Sequence, residues 1–114
     1  MTTKISQSNI QSSTLAVLGS GPKITQIQVT DSSYTPTGAN TISTSGGYIK
    51  ITGTGFNGNC NVVFGNVNAT SVSFVSANVL NTQVPALPAS SYIVYVVDTS
   101  KGQSALKING ITVA

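Results

Sequence analysis

YIKITGTGFNGNCNVVFG, residues 48–65, decides the fold. Gly53, Gly55 and Gly58 fit G-x-G-x-x-G, the spacing of a turn that cradles the pyrophosphate of a dinucleotide. That chemistry needs a strand before the turn and a helix after it, because the helix N-terminus holds the phosphates. The strand is there, with Ile49 and Ile51 on one face. The helix is not: NGNCNVVFG runs from a turn into a short apolar segment. An acidic residue should also follow about 20 positions on to take the ribose. The only acids in the chain are Asp31 and Asp98, so none lies there. The stretch reads strand, turn, strand, and no cofactor is expected.

The glycines then have structural work. Gly53 is expected where a large side chain would crowd the facing sheet or a bend, and Gly55 and Gly58 permit turn conformations with positive φ. Phe56 is expected to drop its ring into one end of the core.

Outward from this stretch the pattern repeats. KITQIQVT (23–30), CNVVFG (60–65), ATSVSFVS (69–76), VLNTQVP (79–85), SYIVYVVD (91–98) and SALKINGITV (104–113) are short and rich in β-branched residues. Leu80, Thr82 and Val84 alternate, as do Val72 and Phe74. Asn-Gly pairs and other glycine-rich turns punctuate the runs, and DSSYTPTGANTISTSGG (31–47) is a long turn-rich connection. No stretch sustains a 3.6-residue period. About seven short antiparallel strands predict an all-β sandwich, since a single sheet would leave one apolar face wet.

Composition agrees. Ser, Thr, Asn and Gln make up 47 of the 114 residues, while only seven residues are charged, so the chain is polar without being charged. Disorder usually couples low hydrophobicity to high charge, and here 39% of residues are hydrophobic. The net charge of +3 comes from scattered lysines, with no arginine and no basic run, which argues against a nucleic-acid surface. A single cysteine, Cys60, excludes an intrachain disulfide. With no histidine to act as its base it reads as a small buried hydrophobe rather than a nucleophile. Residues 1–22 lack the long apolar run of a secretory or membrane-spanning segment, so assembly in a cytoplasm and no membrane insertion are expected.

Residues 1–22 form a second unit. Ile5, Ile10 and Leu15 are spaced five apart, which matches neither a helix face nor a strand face. With Val17 and Leu18 they read as an extended arm that orders against a partner, ahead of a domain spanning residues 23–114.

At GGYIKITGTGF, CNVVFGNVNA and VPALPASSYIVYVVDTSKGQSA the chain resembles the IPT/TIG domains, which are immunoglobulin-like. The residues that carry the likeness are the paired Gly46 and Gly47, Gly53 followed by Phe56, and Phe64-Gly65. Pro85 and Pro88, then Tyr92, Val94 and Val96, and finally Gly102 and Ser104 continue it in order. The resemblance implies an immunoglobulin-like β-sandwich over residues 23–114 with no catalytic centre. SQSNIQSSTL followed by GPKI is similar to the starts of tailed-phage structural proteins. That likeness implies a non-enzymatic virion component on the exterior of a head or tail, assembled in the host cytoplasm. A capsid decoration or cement protein comes first, and a tail or tail-fibre component second. Its expected partners are major capsid or tail proteins and copies of itself.

Two surfaces are candidates for contact. If Tyr92, Val94 and Val96 point inward, then Ile93, Tyr95 and Val97 point outward, where a solvated strand would carry Thr or Lys. That stripe predicts a covered face. The rival reading is a carbohydrate-binding or adhesion module for host-surface glycans, with Tyr34 and Tyr48 as its only plausible exposed rings. Asp31 and Asp98 read as caps on strand-end turns rather than as a catalytic or metal-binding pair. Asn68-Ala69-Thr70 is a glycosylation triplet that matters only on a eukaryotic secretory route.

Overall fold

The structure is a computed structural model that describes residues 21–114. Among these residues there is no helix. Eight strands are present: β1 (Lys23–Thr30), β2 (Gly47–Thr54), β3 (Cys60–Phe64), β4 (Val67–Asn68), β5 (Ser71–Ser76), β6 (Val79–Val84), β7 (Ser90–Asp98) and β8 (Gln103–Val113). They form two four-stranded antiparallel sheets in the orders β1-β2-β6-β5 and β4-β3-β7-β8, an immunoglobulin-like sandwich. The additional element relative to the sequence pattern is β4, two residues that pair with β3 through Val63–Asn68 and Phe64–Val67.

Period-2 alternation builds the core. From the first sheet Ile49, Ile51, Leu80 and Val84 point inward, and from the second Val62, Phe64, Val94 and Val96 do so. All are almost or entirely removed from solvent. Burial of side chains of this size stabilises by roughly 1.5–3 kcal/mol each. The register sets Ile51 between Ile27 on β1 and Leu80 on β6, so three apolar side chains share one row. Tyr92 locks the crossover from β6 to β7: its hydroxyl donates to the Pro88 carbonyl at 2.6 Å.

Phe56 is buried as expected, and the crowding at Gly53 comes from the bend and from β1 rather than from the facing sheet. A Cβ there would run into the Lys23 carbonyl oxygen of β1 and approach the Phe56 ring to 2.8 Å. The obstacle is therefore the neighbouring strand and a ring of the same turn, not the facing sheet. Gly55 adopts positive φ, at 75°. Gly58 does not, and the space around it is open.

Residues 60–64, where a nucleotide-binding turn would open its helix, are strand β3. The Asn109-Gly110 pair lies inside β8 rather than at a turn. It forms a bulge, with the register slipping between Tyr92 and Val94 of the partner strand. The apolar positions given to the arm, Ile5, Ile10, Leu15, Val17 and Leu18, lie outside the described residues. Gly21 and Pro22 are buried, and a side chain at Gly21 would press on Gln103.

Candidate functional site

Strand β7 is flanked by β3 and β8, so Tyr95 and Val97 on its outer face have cross-strand neighbours on both sides, while Ile93 falls at the register slip between Tyr92 and Val94. Val94 and Val96 face the core, and Ile93, Tyr95 and Val97 lie half-buried on the opposite face. Tyr95 pairs with Val63 on one side and Leu106 on the other, an apolar row across three strands. Val97 lies between Asn61 and Ser104, which gives the next row a polar border. Leu106 is 55% exposed and Ile108, two residues on, is 68% exposed. The apolar stripe is thus wider than β7 alone. Val63, Leu106 and Ile108 were missed by sequence reasoning, although the period-2 spacing of Leu106 and Ile108 was the available signal.

The two tyrosines have a different setting. Tyr34 lies in the β1–β2 connection with a left-handed backbone, φ 61°, and Tyr48 is the second residue of β2, opposite Thr30. Their ring centroids are 5.6 Å apart with the planes at 87°, an edge-to-face pair. Both are half-buried, and each uses part of its surface on the other. Asp31 staples this loop: its Oδ1 accepts from the backbone N–H of Ser33 at 2.8 Å and of Thr35 at 3.0 Å.

Asp98 ends β7 and is buried. Its Oδ1 accepts from the Ser100 hydroxyl at 2.6 Å and from the backbone N–H groups of Ser100 and Lys101. Its Oδ2 accepts from Asn57 Nδ2 at 2.8 Å. The Ser100 hydroxyl, with the Asn57 amide and the turn N–H groups behind it, holds the carboxyl below the usual carboxylate range despite the opposing effect of burial. Both acids are therefore occupied with backbone turns. Burial pushes the Cys60 thiol up, which disfavours the thiolate a nucleophile needs. Among the described residues no three His, Cys, Asp or Glu side chains cluster to hold a metal, and no helix is long and apolar enough to cross a membrane.

A family model for the IPT/TIG domain matches residues 30–110, from the end of β1 to the bulge of β8. The chain belongs to the IPT/TIG family. No curated protein matches the chain. The match takes in strands of both sheets of this IPT/TIG domain, with only Thr30 of β1, and includes the β7 strand with its outward Ile93, Tyr95 and Val97.

Proposed function

We propose that this IPT/TIG domain is a non-enzymatic structural module that assembles onto a larger particle. Its first assignment is a decoration protein on a tailed-phage head. The observation that carries the assembly reading is the apolar outer face of the β4-β3-β7-β8 sheet, with Ile93, Tyr95 and Val97 at its centre and Leu106 and Ile108 beyond them. Contiguous apolar surface of this kind on a small domain marks a contact site. The engagement of Asp31, Asp98 and Cys60 in turns and core supports a role without catalysis. The likeness of SQSNIQSSTL and GPKI to the starts of tailed-phage structural proteins supports the virion setting.

In this reading Ile5, Ile10, Leu15, Val17 and Leu18 anchor the chain, and the sheet face makes the second contact. Two modest contacts on one chain, repeated over a symmetric shell, give a high combined affinity without a strong single site. The Ser-, Thr- and Asn-rich remainder of the surface faces solvent. Nucleic acid and membrane are not among the proposed partners.

The test is quantitative mass spectrometry of purified particles, counting this chain against the major shell protein. A copy number comparable to the shell protein supports decoration. A small fraction of that number moves the chain to the tail or fibres. Absence from particles overturns the virion assignment.

A further inference from the structure

Four strand edges bound the two sheets, and three of them are covered or guarded. β1 carries Lys23 and a register slip between Ile24 and Gln26. The connection after it lies along its end, with Thr37 N–H donating to the Val29 carbonyl at 3.1 Å. β8 carries Lys107 and the Asn109-Gly110 bulge, and Ile42 N–H donates to its Thr112 carbonyl at 2.9 Å. β4 is only two residues long. Short edges, lysines, bulges and covering loops are the devices that keep one sheet from adding to another.

The fourth edge, β5, is built differently. SVSFVS is six residues long, pairs with β6 on one side, and has no strand on its other side among the described residues. Its one irregularity, the slip between Phe74 and Ser76, comes at its end. Phe74 is 47% exposed and Val75 is 54% exposed. The register explains the ring. Val72 lies opposite Thr82 and Phe74 opposite Leu80, both fully buried, so Val72 and Phe74 are on the core side of the sheet. Because β5 is the last strand, Phe74 stands at the rim of the sandwich and stays half covered. The rim is held in place. Ala69 N–H donates to the Val62 carbonyl at 2.9 Å and Thr70 N–H to the Gln83 carbonyl at 3.0 Å, which ties the chain entering β5 to both sheets.

A preformed edge of this kind takes another strand, through its backbone groups and alternate side chains. The sequence of β5 matches itself. When two β5 strands run antiparallel with Ser73 opposite the Ser73 of a second copy, Val72 falls opposite Phe74 and Phe74 opposite Val72, on the core side in both copies. An aromatic ring against a β-branched side chain is a favourable cross-strand pair, and the two-fold axis makes it twice. Ser73, on the other face of the sheet beside Asn81, is small enough to meet itself on the axis. Residues 51–97 carry no charge, and β3 to β6 all lie within them. Two copies of a chain of net charge +3 therefore meet here without setting like charges together. We infer that β5 is a self-association edge. Two copies pair antiparallel through it about a two-fold axis at Ser73, joining their β1-β2-β6-β5 sheets into one of eight strands. The surface is distinct from the outer face around Ile93, and the inference does not depend on the virion assignment.

The test is sedimentation of the full chain over a concentration series. A contact one strand wide falls at the small end of interfaces, under about 1,200 Å², so a reversible dimer with a micromolar dissociation constant is expected. Phe74→Lys, at a half-exposed position, is expected to weaken the dimer at least about tenfold, because the pairing desolvates the ammonium group without a partner. Ser73→Cys reads the register. Directly opposed residues of antiparallel strands have Cα atoms about 4.5–5.5 Å apart, within the reach of a disulfide. Mild oxidation is expected to give a covalent dimer of Ser73→Cys and not of Ser104→Cys on the β8 edge, with the native Cys60 buried. Ser73→Cys decides the matter if Phe74→Lys perturbs the fold. A chain that is monomeric at about 1 mM, where a micromolar dimer would be saturated, overturns the inference. So does a dimer that a folded Phe74→Lys leaves unchanged, or one that Ser73→Cys links no faster than Ser104→Cys.

Discussion

Asn57 and Asp98 are 41 residues apart in the chain, yet Asn57 Nδ2 donates to Asp98 Oδ2 at 2.8 Å. The bond ties the turn before β3 to the turn after β7. The same carboxylate accepts from the Ser100 hydroxyl and two turn N–H groups, so one side chain organises one end of the sandwich. Its depressed pKa fixes the sign of a pH effect. A carboxyl with a lower pKa folded than unfolded contributes stability that is present above the unfolded value and lost as pH falls through the folded value. Urea midpoints are expected to hold steady near neutrality and to fall on the acid side of the ordinary aspartate range. Asp98→Asn is expected to lower the midpoint at neutral pH and flatten that acid slope. An unchanged slope in the variant would remove Asp98 from this role.

Thr82 presents the opposite case. It is fully buried between Ile49 and Val72 in the register, and its hydroxyl has no hydrogen-bond partner. A buried hydroxyl without a partner costs about 1–3 kcal/mol. Thr82→Val keeps the branched shape and removes the stranded oxygen. We expect stabilisation of about 1 kcal/mol, seen as a rise in thermal midpoint of roughly 4–8 °C. A lower midpoint would mean that the hydroxyl has a partner in solution, such as an internal water.

Gly53 and Gly58 belong to one glycine-rich turn and predict opposite outcomes. Gly53→Ala sets a methyl against the Lys23 carbonyl and the Phe56 ring, and either β1 or the ring has to move. Overpacking of this sort costs about 1–3 kcal/mol. Gly58→Ala meets open space without a left-handed backbone, so its stability is expected to change by less than about 0.5 kcal/mol. Chemical denaturation of the two variants side by side separates crowding from a general effect on the turn.

The sandwich was legible because its strands carry dense β-branched residues at period 2, so β1, β3 and β7 each follow a run visible in the sequence. The outward stripe on β7 was legible for the same reason. Its extension to Leu106 and Ile108 was obscured by Lys107 between them and by the Asn109-Gly110 pair, which looks like a turn and is a bulge. The pairing of Tyr34 with Tyr48 depends on a left-handed Tyr34, a conformation that composition does not announce. The hollow at the β1–β8 edge was not legible, because Val29, Asn40 and Ile111 along its lining come from three separate parts of the chain and only the order of strands in the two sheets brings them together.

The outer face of the β4-β3-β7-β8 sheet gives the sharpest test of assembly. Ile93 and Val97 are half-buried and their side chains lie opposite the core, so Ile93→Lys and Val97→Lys leave Val94 and Val96 in place. The folded domain is expected to tolerate both, with stability lowered by at most about 1 kcal/mol. Association is a different matter, because a lysine at the centre of an apolar contact is desolvated without a partner. On the decoration reading proposed above, binding to particles stripped of this chain is expected to fall at least tenfold for the double variant, measured by cosedimentation. Ser104→Lys, at the polar border next to Val97, serves as the control and is expected to bind within about threefold of the wild type. Wild-type binding by a folded double variant would show that this face is not the contact and leave residues 1–22 as the anchor to test by truncation.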